Sequence, residues 1–178
     1  MQPELTTSRL LLRPFVLSDA QQVQQLAGDV RVAEPAASIP HPYPDGAAEA
    51  WIASHASIFA NRKGVVYAMT RLQDAALIGA ISLLEMSDLH HRAELGYWLG
   101  HAFWTQGLGS EAAREIVAYA HRELGVTRVV CRCLTRNIGS ARVMEKSGLV
   151  REGHLVKHVD HKGVFEDLYL YGLNLPGR

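Results

Sequence analysis

Two glycines at the mouth of a helix are the residues in this sequence whose spacing could do chemistry on its own. Ala93 to Leu124, AELGYWLGHAFWTQGLGSEAAREIVAYAHREL, reads as a strand ending near Leu99, a loop carrying Gly107 and Gly109, and then a helix. Leu108, Ala112, Ile116 and Ala120 recur every four residues and give that helix an apolar face. Glycines at such a point let backbone N–H groups converge, and the helix dipole adds partial positive charge, so the chemistry on offer is the holding of a phosphate. A plain turn and cap would use the same residues for backbone shape alone.

Two phosphate loops can be tested against this spacing. A P-loop needs Lys and then Ser or Thr after its last glycine, but Gly109 is followed by Ser110 and Glu111. Gly107, Gly109 and Ala112 satisfy the dinucleotide pattern GxGxxG/A, yet that pattern follows its strand directly, and here Gly100 to Gln106 intervene. Only Thr135 and Arg136, and no acidic residue, follow the next strand. A nicotinamide-dinucleotide reading therefore ranks second.

Metal and thiol chemistry have weaker support. Cys131 and Cys133 are the only cysteines; as alternate residues of a strand they share a face at a spacing too wide for an ordinary disulfide, so they are expected to be buried, reduced hydrophobes. On a strand, His154 and His158 would stand roughly 13 Å apart, too far to share an ion, and neither His161 nor the pair His90 and His91 completes a ligand set. No metal is expected.

The elements that position the glycines follow from the patterning of 178 residues, of which 48% are hydrophobic, enough to build a core in one domain spanning 1–178. Eighteen basic residues balance eighteen acidic ones, so no overall charge points to nucleic acid or an anionic membrane. No stretch has the length of a membrane span or the form of a secretory leader, and a cytoplasmic protein is expected.

Arg9 to Pro14 reads as a short strand, and Ser18 with Gln21 has capping-box spacing for a helix over Asp19 to Ala27 that ends at Gly28. Glu34 to Pro44 holds four of the seven prolines and is expected to be a loop walling a substrate pocket. Asp45 is placed to cap a second helix, in which Ala48, Trp51, Ile52, His55, Ile58 and Phe59 share a face and His55 reads as packed core. Val65 to Leu72 and Leu77 to Glu85 form a hairpin; after a turn at Ser87 to Arg92, Ala93 to Leu99 is the third strand. Gly125 closes the long helix, and the crossover to a strand over Thr127 to Leu134 makes a βαβ unit. A short helix, Ile138 to Ser147, ends at Gly148, and strands over Leu149 to Val159 and Val164 to Leu173 close as a hairpin about Asp160 to Gly163. The fold class is α/β (α+β), with a mixed, mostly antiparallel sheet flanked by helices.

In that order, TSRLLLRPFVLSDA, AELGYWLG, WTQGLGSEA, NIGSARVMEKSGLVREG and HKGVFEDLYLYGL resemble the Gcn5-related N-acetyltransferases (GNAT), and most closely their RimJ/RimL-like branch. The resemblance covers nearly the whole chain. It implies direct transfer of acetyl from acetyl-coenzyme A to a primary amine of a small molecule or peptide, and it allows a homodimer. The superfamily loop Q/RxxGxG/A has Trp104 in its first place here, with Gly107 and Gly109 in the glycine places. By resemblance, backbone N–H groups of Gln106, Gly107, Leu108, Gly109 and Ser110 hold the pyrophosphate. The pantetheine arm would pair with the strand end at Trp98 and Leu99, and Asn137 would bond it from the other side.

An amine attacks only when neutral, and a lysine-like amine of pKa about 10.4 is almost wholly protonated at neutral pH, so a base is useful. Glu94 matches the strand carboxylate that serves in some members; a structural ion pair is its alternative. Met144 stands where many members place a Tyr that donates to the departing sulfur, and it has nothing to donate. Ser140 matches the donor of the RimL-like branch, with a helix cap as its other reading. Asp167 is a second carboxylate candidate. A coenzyme A sensor without catalysis would keep Gly107, Gly109 and Asn137 and lack a working base or acid. The acceptor itself is not written in any of these motifs.

Overall fold

The computed structural model describes residues 2–36 and 38–177. Eight strands, β1 (Leu5–Thr6), β2 (Leu10–Arg13), β3 (Val65–Arg71), β4 (Leu77–Ser87), β5 (Arg92–Leu99), β6 (Arg128–Leu134), β7 (Val150–His161) and β8 (Val164–Asn174), make one sheet. Its order is β1-β2-β3-β4-β5-β6-β8-β7. The first five strands run antiparallel to their neighbours, β5 and β6 are parallel, and β8 lies between β6 and β7 with antiparallel pairing to both. The mixed, mostly antiparallel sheet is as expected. The insertion of β8 beside β6 is new, because hairpin patterning fixes which strands pair but not which of the two meets the sheet.

Among the described residues five α-helices flank the sheet: α1 (Ala20–Ala27), α2 (Val30–Ala33), α3 (Ala47–Ala60), α4 (Leu108–Leu124) and α5 (Ile138–Lys146). Leu108, Ala112, Ile116 and Ala120 of α4 are buried, so the four-residue repeat is the face that meets the sheet. Gly125, at φ +72, ends α4 in the left-handed conformation that side chains resist. With α5, it covers a core containing Leu95, Leu99, Val129, Cys131, Cys133 and Tyr171. On the opposite side α1 and α3 enclose a smaller cluster, Ala20, Val23, Ala48, Ile52, Ala68 and Leu77, edged by Phe15, Tyr43, Trp51 and Trp98.

Two expected caps are replaced by other contacts. The capping box at Ser18 and Gln21 does not form; a 3-10 turn, Leu17–Asp19, precedes α1, and the Asp19 carboxylate accepts the Val16 N–H at 2.9 Å and two Arg13 N–H groups at 2.8 Å. A guanidinium offers the carboxylate more than a serine cap can. Asp45 does not cap α3: Gly46 holds that position at φ +77, and Asp45 accepts a hydrogen bond from Gln24 instead. Glu34 to Pro44 has neither helix nor strand among its described residues, as its prolines require.

Candidate active site

The parallel strands β5 and β6 pair only over Arg92–Arg128, Ala93–Val129 and Glu94–Val130. Beyond Glu94, β5 stays bonded to β4 while β6 follows β8, so a wedge opens between the carboxyl ends of the two strands. Ligands of open α/β sheets bind in such crevices. The Gly100 N–H bonds the Ile78 carbonyl at 2.9 Å, and strand alternation then turns the backbone groups of Tyr97 and Leu99 toward the wedge and those of Trp98 toward Ala80 of β4. Of the two positions expected to pair with a pantetheine arm, Leu99 turns its backbone toward the wedge, whereas Trp98 spends its backbone inside the sheet. The Leu99 carbonyl accepts the Trp104 indole N–H at 2.8 Å, so the Trp in the first place of the loop motif anchors the loop to the strand end.

At the end of the wedge α4 begins without a side-chain cap. The N–H groups of Leu108, Gly109 and Ser110 have no intrahelical acceptor and converge with the positive end of a 17-residue helix dipole. The two glycines serve differently. Gly107 is left-handed, φ +77, and a Cβ there would meet only Arg9 Nη2, at 3.6 Å. At Gly109 a Cβ would come within 3.3 Å of Leu99 Cδ1 and 3.5 Å of Val143 Cγ2, so this glycine permits close packing of α4 on β5 and α5.

The loop is held from the other side by the chain's start. Glu111 accepts hydrogen bonds from Thr7 Oγ1 (2.6 Å), Ser8 Oγ (2.9 Å), Arg9 N (2.9 Å) and Arg9 Nε (2.7 Å). Burial opposes the Glu111 charge, but these donors outweigh it and keep the carboxyl below its usual range. Arg9 Nη1 also donates to the Gln106 carbonyl at 3.0 Å, placing a half-exposed positive charge beside the loop.

Inside the wedge, Tyr97 from β5 reaches α5, where its hydroxyl lies 2.7 Å from Ser140 Oγ and donates to the Ser140 carbonyl at 3.0 Å. Cys133 of β6 also touches Ser140, and burial pushes its thiol up to about 11. Ser140 does not cap its helix. Asn137 does, accepting the Ser140 N–H at 3.0 Å, while its Nδ2 donates to the Pro35 carbonyl at 3.3 Å. Met144, in the place where many members carry a Tyr, is fully buried in the core. Both cysteines are buried and unbridged, as expected.

Glu94 lies at the apex of the wedge, on the opposite face of β5 from Tyr97. Both its oxygens accept from Arg132, at 2.9 and 2.6 Å, and its side chain is 21% exposed. Asp167 is committed elsewhere, accepting from the Lys157 N–H at 2.8 Å and lying 2.7 Å from His154 Nε2. Its carboxyl is held below the usual range by the Lys157 N–H first and His154 second. Among the described residues no group of His, Cys, Asp and Glu could hold a metal, and no helix is long and apolar enough to cross a membrane.

Three residues that the sequence did not single out complete the surroundings: Tyr97, Arg9 and Arg136. Arg136 donates to Glu166 of β8 at 2.7 and 2.8 Å and to Glu34 at 2.8 Å, joining the segment after β6, the final hairpin and the proline-rich loop. His161 Nε2, 2.8 Å from the Glu34 carbonyl, and Lys162 Nζ, 3.1 Å from the Ala33 carbonyl, add to that wall. Apart from the phase of Tyr97 on its strand, no local pattern marks these residues.

Comparison with known proteins places the chain in a family. The acetyltransferase (GNAT) domain family model matches residues 9–150. The chain is 31% identical over 170 residues to the uncharacterized N-acetyltransferase YnaD of Bacillus subtilis (strain 168), covering 95% of each chain. It is 26% identical to the ribosomal-protein-serine acetyltransferase of Escherichia coli (strain K12), over 65% of this chain and 64% of that one. Its fold matches the crystal structure of the microcin C7 self-immunity acetyltransferase MccE in complex with acetyl-CoA and AMP, with a TM-score of 0.85 and 20% identity, covering 95% of this chain and 94% of that chain. The fold is thus that of an acetyltransferase. The chain belongs to the GNAT acetyltransferase family, and it is an N-acetyltransferase with relatives of the RimJ/RimL kind.

Proposed function

We propose that the wedge and the uncapped start of α4 take acetyl-coenzyme A, and that the chain passes the acetyl group directly to a primary amine, with protein N-terminal α-amines the favoured class. The observation that carries this reading is the alignment of the wedge between β5 and β6 with the N–H groups of Leu108, Gly109 and Ser110 at its end. These groups suit a diphosphate, and the backbone edge at Tyr97 and Leu99, turned away from β4, suits an extended amide-bearing arm. Asn137, with one face on the helix and one on the loop, borders that arm. The acceptor class rests on the ribosomal-protein relative, an analogy of family.

In this reading the amine approaches from the side of Glu94, the proline-rich loop and α3. A carboxylate has about four lone-pair positions; Arg132 uses two, and the others can take the amine proton through a water. The nitrogen forms its bond to the acetyl carbon, the carbon–sulfur bond breaks, and Ser140 donates a hydrogen bond toward the departing sulfur from the opposite face. The commitment of Glu94 to Arg132 and of Asp167 to His154 favours one rival, a coenzyme A sensor without turnover. A panel of peptide N-termini, polyamines and amino acids, with coenzyme A release followed by thiol detection, separates the two. Release with at least one amine supports the transferase, whereas binding of acetyl-coenzyme A without release across the panel supports the sensor.

A further inference from the structure

The contact between Tyr97 and Ser140 has a consequence for the transfer reaction, and it rests on the role of Ser140 just given. Tyr97 has one hydroxyl hydrogen and two acceptors within reach, the Ser140 carbonyl at 3.0 Å and Ser140 Oγ at 2.7 Å. If the hydrogen goes to the carbonyl, the short contact requires Ser140 to point its own hydrogen at Tyr97. If it goes to Oγ, the Ser140 hydrogen is free to point elsewhere, and a hydroxyl that accepts one hydrogen bond donates a stronger one.

We propose that Tyr97 is a positioning residue for acyl transfer: when sulfur occupies the wedge, its hydroxyl turns to Ser140 Oγ and aims the serine hydrogen at the departing thiolate. Tyr97 keeps its own proton throughout, since burial raises its pKa and Cys131 adds to that effect. The phenol is therefore a permanent donor and not a proton source. The sulfur leaves as a hydrogen-bonded thiolate, and the amine proton goes to the base on the other face. The arrangement also offers an account of Met144, because Ser140, aimed by Tyr97, supplies the donor to sulfur that a Tyr at that place would supply.

The same alignment strengthens the bond to any thiolate in the wedge, so free coenzyme A is the probe and no acceptor is needed. The thiol of bound coenzyme A is titrated by ultraviolet difference absorbance in the parent, Tyr97→Phe, Ser140→Ala and the double variant. Calorimetry with coenzyme A normalises each sample to its binding-competent fraction, so a partly unfolded variant still reports. Ser140→Ala is expected to raise the bound thiol's pKa, and Tyr97→Phe to raise it in the same direction by a smaller amount. The double variant should match Ser140→Ala, because without the serine hydroxyl Tyr97 has nothing to aim. With the best amine of the panel, Tyr97→Phe should lower kcat by roughly tenfold, about one hydrogen bond's worth, with KM for acetyl-coenzyme A little changed. A Tyr97→Phe protein with the parent's thiol pKa and kcat, beside a shifted Ser140→Ala, would overturn this inference alone. A Ser140→Ala protein unchanged in both would remove the serine role and the inference together.

Discussion

The two faces of the sheet are built to different standards. On one, α4 and α5 lie over a continuous apolar core in which Ala112, Ala113, Ile116, Ala120 and Met144 are fully buried. On the other, α1 and α3 enclose a thinner layer whose edge is aromatic and which holds His55 with both ring nitrogens unpartnered, against Trp51 at 4.5 Å and Phe15 at 5.4 Å. The coenzyme side of the proposed site is made of backbone atoms fixed by that thick core. The acceptor side is made of side-chain ion pairs over the thin one. Backbone geometry survives most substitutions nearby, whereas an ion-paired wall changes with one residue, so the contrast separates a part that tolerates substitution from a part that one substitution can remake.

Replacing the base should break the comparison hardest. Glu94→Gln is expected to lower the rate at neutral pH roughly a hundredfold or more, with partial recovery as pH rises and the amine deprotonates unaided. Arg132→Met is the control: if Glu94 serves only as the partner of Arg132, both variants lose activity alike and neither recovers with pH. A parent-like Glu94→Gln profile across about pH 6 to 9 would move the base elsewhere, with Asp167 next to test.

The thin face should carry an acid sensitivity that the thick face lacks. Burial pushes the His55 imidazole down from 6.5 to about 4. The unfolded chain therefore binds a proton that the folded chain refuses between those values; the stability is complete above about 6.5 and drains away as pH falls toward 4. Between pH 7 and pH 5 this costs about 2 kcal/mol. Denaturant melts of His55→Leu, which removes two unpartnered nitrogens, should show that much less loss over the same range. An identical pH slope in parent and variant would show that His55 takes up its proton without unfolding.

The two loop glycines sharpen the contrast from the coenzyme side. Gly107→Val forces a β-branched residue into a left-handed position, at a cost of about 1–2 kcal/mol, and should weaken coenzyme A binding roughly tenfold by reorienting the loop N–H groups. Gly109→Val should act first on stability, through Leu99 and Val143. Calorimetric titration and thermal melting separate the two, and equal losses of affinity at unchanged melting temperature would return Gly109 to a direct role at the phosphate.

The smallest effect is expected at the acceptor wall. Arg136 and Glu34 are exposed and Glu166 is partly buried, and surface pairs of this kind contribute about 0.2–1 kcal/mol each. Arg136→Gln should raise KM for the amine by a few fold and leave KM for acetyl-coenzyme A unchanged. An equal rise in both would show that Arg136 acts on the wedge through its neighbour Asn137.

What the sequence made legible follows the same division. Strand and helix periodicities, the glycine-bearing loop and the βαβ crossover are local patterns, and each lies within a residue or two of its expected place. The caps were less legible, because Ser18, Asp45 and Ser140 all have capping chemistry, and tertiary partners such as Arg13 for Asp19 decide which groups are used. Tyr97 and Ser140 are 43 residues apart, and Glu34 and Arg136 are 102 apart, so neither contact leaves a trace in spacing. Glu94 and Ser140 entered through family resemblance, and their positions on opposite faces of β5 emerged only with the strands in register.

The bonds from His161 and Lys162 to the carbonyls of Glu34 and Ala33 join residues 127 and 129 positions apart. A chain made from its N-terminus has its glycine loop and first six strands in hand long before that hairpin is synthesised. The proline-rich segment then waits, without its clamp, until His161 and Lys162 have left the ribosome. The glycine loop and α4 can thus form early, while both the partner that draws β6 away from β5 and the clamp on the proline-rich segment arrive with β8 and its turn.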